Sequence, residues 1–187
     1  MNSPNFTTVH FSVSDFECMI DAGVFVGKTG RIELIEGELR QMSPASDGHD
    51  DLIVLLTTWS HRVVRDHYQV AVQIGLRLLK TESRPEPDLY WIESRHRRGR
   101  ATAAVVPLVI EISMSSLKYD LDTKRRIFAR DGVAEYWVVD GQSQSVIVHR
   151  QPSGEGYAQI QVFKHPEQPA PQCLPQATID LDWLFNS

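Results

Sequence analysis

Val105-Val106-Pro107-Leu108-Val109-Ile110-Glu111-Ile112 is β-branched and apolar almost throughout. A run without polar alternation is the pattern of a central strand covered on both faces, so the fold must supply a layer above it and another below. Its single charge, Glu111, lies at the C-terminal end. Two more strands flank it in sequence: Leu89 to Ile92, which follows Pro85-Glu86-Pro87 and opens on Asp88, and the buried run Tyr136 to Val139.

The connections read as the covering layers. From about Asp120 to Arg130, the spacing of Leu121, Ile127 and Phe128 suits an amphipathic helix closed by Gly132 as a left-handed cap. Upstream, Asp47 can cap a helix from His49 to about Asp66, with Ile53, Leu56, Ser60 and Val63 on one stripe and Leu52, Leu55 and Trp59 widening it. Tyr68 to Leu79 predicts one or two strands interrupted near Gly75. Ser14-Asp15-Phe16-Glu17 starts a short helix to Ala22, and Arg31 to Glu36 with Glu38 to Met42 forms a hairpin around Gly37. In the C-terminal third, Ser145 to His149 and Tyr157 to Phe163 pair around Pro152-Ser153-Gly154, and Pro166 to Pro175 links to a short terminal segment. Strands and helices interleave, so the class is α/β, with a mixed sheet flanked by helices and antiparallel additions.

A chain of 187 residues fits one domain, and 42% hydrophobic with 23% charged residues is an ordinary globular composition. No apolar run approaches the ~20 residues of a bilayer span. The N-terminus lacks a basic start followed by an apolar stretch, so a cytoplasmic protein is expected. Cys18 and Cys173 stand alone, which disfavours a disulfide framework or a structural zinc site. The net charge of -5 argues against a surface that grips phosphate backbones all over, so nucleic-acid contact must be local. The one dense cationic run is Arg95-His96-Arg97-Arg98-Gly99-Arg100, either a solvated loop or a phosphate contact; His61, Arg62, Arg65 and His67 add positive character on the preceding helix.

Charged residues at the ends of apolar strands carry the chemistry, because a carboxylate there costs desolvation unless something positive sits beside it. If the ends carrying Asp88 and Glu111 are neighbours, the two converge into an oxygen-rich site for a hard cation such as Mg²⁺, with the Ile112 carbonyl as a third oxygen. Lys124 stands four residues after Asp120 on the next helix. It is either half of a solvated ion pair or, turned to the sheet end, a group that orients an attacking water. His49 opens its helix as an exposed cap-region residue or as a phosphate-contacting group. Glu135-Tyr136-Trp137 reads as core.

Pro87-Asp88, Glu111-Ile112-Ser113, Asp120 with Lys124, and Glu135-Tyr136-Trp137-Val138-Val139-Asp140 together resemble the Uma-type endonuclease family, within the PD-(D/E)XK superfamily of restriction-endonuclease-like folds. Glu33-Leu34-Ile35-Glu36-Gly37-Glu38-Leu39, Met42-Ser43-Pro44 and His49 extend the likeness, which covers roughly residues 12 to 150 and leaves a C-terminal hairpin and tail over 151–187. The resemblance implies an α/β/α core, phosphodiester cleavage dependent on Mg²⁺ or Mn²⁺, and a metal site at Asp88 and Glu111. It places His49 at the site and makes Glu38 an outer carboxylate, which alternation alone would leave facing solvent. The superfamily's lysine two residues after the acidic ligand is replaced by Ser113, which cannot supply its charge. The resemblance implies that Lys124 takes its role. DNA is the expected substrate and a homodimer suits cutting both strands. A non-catalytic DNA-binding or protein-interaction module on this fold, and a hydrolase of smaller phosphoesters, are the competing readings.

Overall fold

A six-stranded sheet organises the protein, whose computed structural model describes residues 7–42, 46–96 and 99–186. In chain order, α1 (Val13–Asp21) precedes a hairpin of β1 (Ile32–Ile35) and β2 (Glu38–Gln41), and α2 (Asp47–Val64) leads into the sheet. The sheet strands are β3 (Tyr68–Val72), β4 (Leu89–Glu93), β5 (Leu108–Ser113), β6 (Glu135–Asp140), β7 (Ser145–Ser153) and β8 (Gly156–Lys164). They lie side by side in sequence order. Only β5 and β6 run parallel, and parallel neighbours require a crossover. That crossover is one helical segment: α3 (Leu117–Tyr119), a π turn (Asp120–Lys124) and α4 (Arg125–Asp131). A short α5 (Leu181–Asn186) ends the described chain.

All six residues of β5 are buried, as its composition requires. Leu108, Ile110 and Ile112 pack on one side with Leu52, Leu56 and Trp59 of α2, and with Leu181 and Leu184 of α5. Val109 packs on the other side with Ile127 and Phe128 of α4. The α/β/α arrangement with a mixed sheet is thus as expected. The strand starts at Leu108, after a 3₁₀ turn at Ala103–Val105, because Pro107 has no N–H to give a central ladder.

Other boundaries differ for local reasons. The cap of α1 is Ser12, which with Asp15 forms a reciprocal capping box, so the helix starts before Ser14. Helix α2 begins at Asp47 with Ser46 in the cap position. The side chain of Asp47, together with Ser43, Pro44, Arg97 and Arg98, lies outside the described residues. The stretch after β3 does not continue as a strand: it makes isolated bridges from Arg77 to Thr102 and from Leu78 to Ser83. Gly75 permits this crossing, since a Cβ there would sit 2.3 Å from the Arg84 guanidinium carbon. The C-terminal tail is more than a linker. Leu174, Ala177 and Ile179 are buried in the core, and Trp59 Nε1 donates to the Thr178 carbonyl at 3.1 Å.

The β1–β2 hairpin turns at Glu36 and Gly37, both left-handed with φ of 51° and 79°, the conformation of a tight two-residue turn. It forms its own sheet but docks along the segment preceding β4. Arg84 N–H donates to the Leu34 carbonyl at 2.7 Å, Glu36 N–H to Ser83 Oγ at 2.8 Å, and Gly37 N–H to the Glu82 carbonyl at 2.9 Å. Docking there brings β1 to the end of the main sheet where β4 begins.

Candidate active site

Strand β4 pairs with β5 antiparallel, Leu89 opposite Ile110, so the next pair out is Asp88 and Glu111. The two strand-end carboxylates are therefore cross-strand neighbours. Their backbones and side chains interlock: Ile112 N–H donates to Asp88 Oδ2 at 2.9 Å, and Asp88 N–H to Glu111 Oε2 at 3.3 Å. Since the N–H and C=O of one strand residue point to the same edge, the Ile112 carbonyl also faces the Asp88 side.

The lysine arrives from the crossover helix. Lys124 Nζ lies 3.0 Å from Glu111 Oε1 and 3.0 Å from Glu33 Oε1. It is 2% exposed, which rules out the solvated surface pair. Asp120 is not its partner; that carboxylate accepts from Ser116 Oγ at 2.5 Å. The intervening π turn removes the α-helical register on which an i,i+4 pairing depends.

His49, in the first turn of α2, is buried, with Nε2 3.1 Å from Asp88 Oδ2. Arg31 approaches Asp88 Oδ1 at 3.7 Å. Asp88, Glu111, Ile112, Lys124 and His49 thus meet around one cleft of about 280 Å³. Glu38 does not join them. It sits at the hairpin tip beside Arg40, its side chain 49% exposed, outside the cleft lining. Glu33, 1% exposed, is the hairpin carboxylate that lines the cleft. Arg31 and Glu33 were missed. The available signal was a glutamate set between Ile32 and Leu34, a charge in an otherwise apolar strand.

Burial drives the Glu111 carboxyl well above the usual range; Lys124 opposes this, while Asp88, Asp120 and Glu33 add to it. Burial works to discharge Lys124, but Glu111 and Glu33 outweigh it and hold the ammonium protonated. Asp88 is also penalised by burial, yet the His49 contact, the Ile112 N–H and Arg31 leave it below its ordinary value. Its hydrogen bond raises His49 in turn, against burial.

Two carboxylate oxygens remain buried without a hydrogen-bond partner, Asp88 Oδ1 and Glu33 Oε2. Among the described residues no three His, Cys, Asp or Glu side chains form a ready-made metal cage. Magnesium needs only one or two carboxylates and keeps several waters, so Asp88, Glu111 and a strand-end carbonyl fit it where a cage of side chains is absent. Of the basic run, read as a solvated loop or a phosphate contact, neither described end lines the cleft: Arg100 bonds Glu17 at 2.7 Å, and Arg95, its side chain 83% exposed, pairs with Glu93 at 2.5 Å.

The model of the Uma2 family, described as "Putative restriction endonuclease", matches residues 13–182. The chain belongs to the Uma2 family. The Uma2 match takes in the β7–β8 hairpin and most of the tail, beyond the stretch that carries the motifs. A solved structure described as a putative nuclease belonging to DUF820 from Anabaena variabilis shares this fold, with a TM-score of 0.71 at 18% identity over 94% of this chain and 98% of that one. No curated protein matches the sequence significantly. Among the described residues, no helix of this Uma2 protein is long and apolar enough to cross a membrane.

Proposed function

We propose that the protein is a Mg²⁺- or Mn²⁺-dependent endonuclease that hydrolyses phosphodiester bonds in DNA, with Asp88, Glu111 and the Ile112 carbonyl as metal ligands and Lys124 and His49 as catalytic groups. The observation that carries this reading is the Lys124 ammonium 3.0 Å from Glu111 Oε1. It returns to the strand-end carboxylate the positive charge that Ser113 lacks. When bound, the cation would lower the pKa of a coordinated water and stabilise charge on the phosphoryl oxygens. Lys124, kept protonated by its two carboxylates, would orient the attacking water and offset the negative charge that develops in the transition state. Glu33 holds Lys124 in place, and His49 fixes the Asp88 carboxylate while facing the cleft from α2.

The test is cleavage of plasmid and single-stranded DNA with Mg²⁺ or Mn²⁺, against chelator, for the wild type, Glu111→Ala and Lys124→Met. Activity should require metal, disappear in Glu111→Ala and fall on the order of 10²–10³-fold in Lys124→Met. Cutting that survives both substitutions at wild-type rates refutes the assignment. The net charge of -5 favours a second reading, a non-catalytic DNA-binding or interaction module. That module would bind DNA or a partner without metal and retain binding in Glu111→Ala.

A further inference from the structure

Strand β8 is the last strand of the sheet, nine residues long, and exposed along most of its length. An edge of this kind is a template for another strand, and proteins ordinarily guard it with charge, proline, a bulge or short length. The opposite edge, β3, is guarded by brevity at five residues. From Tyr157 to Phe163, β8 carries no charge and no proline, and the strand spans roughly 30 Å at ~3.4 Å per residue. Ile160 and Val162, two apart and so on one face, are 55% and 51% exposed. Their inner neighbours are His149 and Ile147 of β7.

We propose that β8 is a homodimer interface, pairing antiparallel with β8 of a second copy across a two-fold axis at Ile160. The sequence is self-complementary in that register. Ile160 meets its own copy, Val162 faces Ala158, Gln161 faces Gln159, and Phe163 faces Tyr157. Lys164 falls opposite Gly156, one residue from Glu155, so each end brings opposite charges together. The Glu155 side chain is 68% exposed and only loosely engaged within its own chain, 3.9 Å from Arg126 and 3.6 Å from Arg130. The two sheets then merge into one, and the exposed apolar pair becomes the centre of a cross-strand cluster. This interface is independent of the nuclease reading, since none of its residues lines the cleft.

Sedimentation of the full chain tests it. The wild type should run at micromolar concentration as a dimer of twice 21.2 kDa. Ile160→Lys sets two ammonium groups opposite each other at the axis and should weaken dimerisation on the order of tenfold or more, with an unchanged circular dichroism spectrum. Val54→Lys, at a 62% exposed apolar site on α2, should leave the dimer intact. Hydrogen exchange at Ala158 to Val162 should accelerate as the wild type is diluted. A wild-type monomer at micromolar concentration, or an Ile160→Lys dimer whose dissociation constant is raised by less than roughly tenfold, overturns the proposal. DNA cleavage plays no part in these readouts, so an inactive protein would not count against the interface.

Discussion

Glu33 and Glu38 belong to the same hairpin, yet only Glu33 reaches the cleft. Alternation leaves Glu38 facing solvent, as it is, but does not reveal the burial of Glu33, because β1 is covered by the Glu82 to Glu86 segment as well as by its own partner strand. That docking is visible only in three dimensions, where Glu86 N–H donates to Glu33 Oε1 at 2.7 Å. Glu33→Gln should slow single-turnover DNA cleavage on the order of 10²-fold by loosening Lys124, while Glu38→Ala stays within roughly twofold of the wild type. Equal losses in both would remove Glu33 from the site. Asp88 and Glu111, by contrast, were legible, since a charge at each end of an apolar run stands out. A second residue, Glu17, ties α1 to the body of the protein by binding Arg77 and Arg100, with Arg84 at 3.5 Å. Bonding to Arg77 first, and to Arg100, brings its carboxyl down to about 2 from 4.5 despite burial. The folded value is depressed, so the contribution is complete above pH 4.5 and disappears as pH falls toward about 2. Glu17→Gln should flatten the acid limb of a melting-temperature profile over that window. At neutral pH it should cost roughly 2 kcal/mol, because Arg77 and Arg100 are partly in water and screened. An unchanged acid limb would show that the network is idle.

At the scale of elements, the central strand and the crossover helix were readable because burial on both faces leaves an uninterrupted apolar run, and amphipathic spacing marks a covering helix; the order of the strands in the sheet was not. The π turn was not readable. Spacing rules assume α geometry, and Asp120 and Lys124 satisfy them while bonding different partners. The crossing between β3 and β4 was half readable: Gly75 announced an interruption, but its reason is the Arg84 guanidinium lying against it. Gly75→Ala should therefore destabilise the protein by about 1–3 kcal/mol in urea titration, the cost of forcing a methyl into occupied space. Stability equal to the wild type would mean that Arg84 moves aside freely. Because Arg84 also bridges toward Glu86, a cleft-lining residue, the same variant reports whether this crossing braces the hairpin side of the site.

For the whole molecule, the C-terminal tail closes the face of the sheet that α2 leaves open. Leu181 and Leu184 are each 1% exposed against that core. A proline-rich stretch looked like a tether because its few apolar residues have no period, and only the tertiary structure reveals what they cover. Truncation after Pro175 should remove on the order of 6 kcal/mol, about 2 for each of the buried Ile179, Leu181 and Leu184, a large share of the usual ~5–15. Thermal denaturation would register this as a steep loss of stability, whereas a truncated protein as stable as the full chain would show that the terminal segment adds nothing to the core. The cleft itself has a consequence in time. The Glu33–Lys124 contact closes a loop of 91 residues, and contacts so distant in sequence are among the slowest to form. A nascent chain still short of its crossover helix lacks Lys124, so during synthesis the buried carboxylates of Glu33 and Glu111 wait for their counter-charge until residue 124 of 187 has been added.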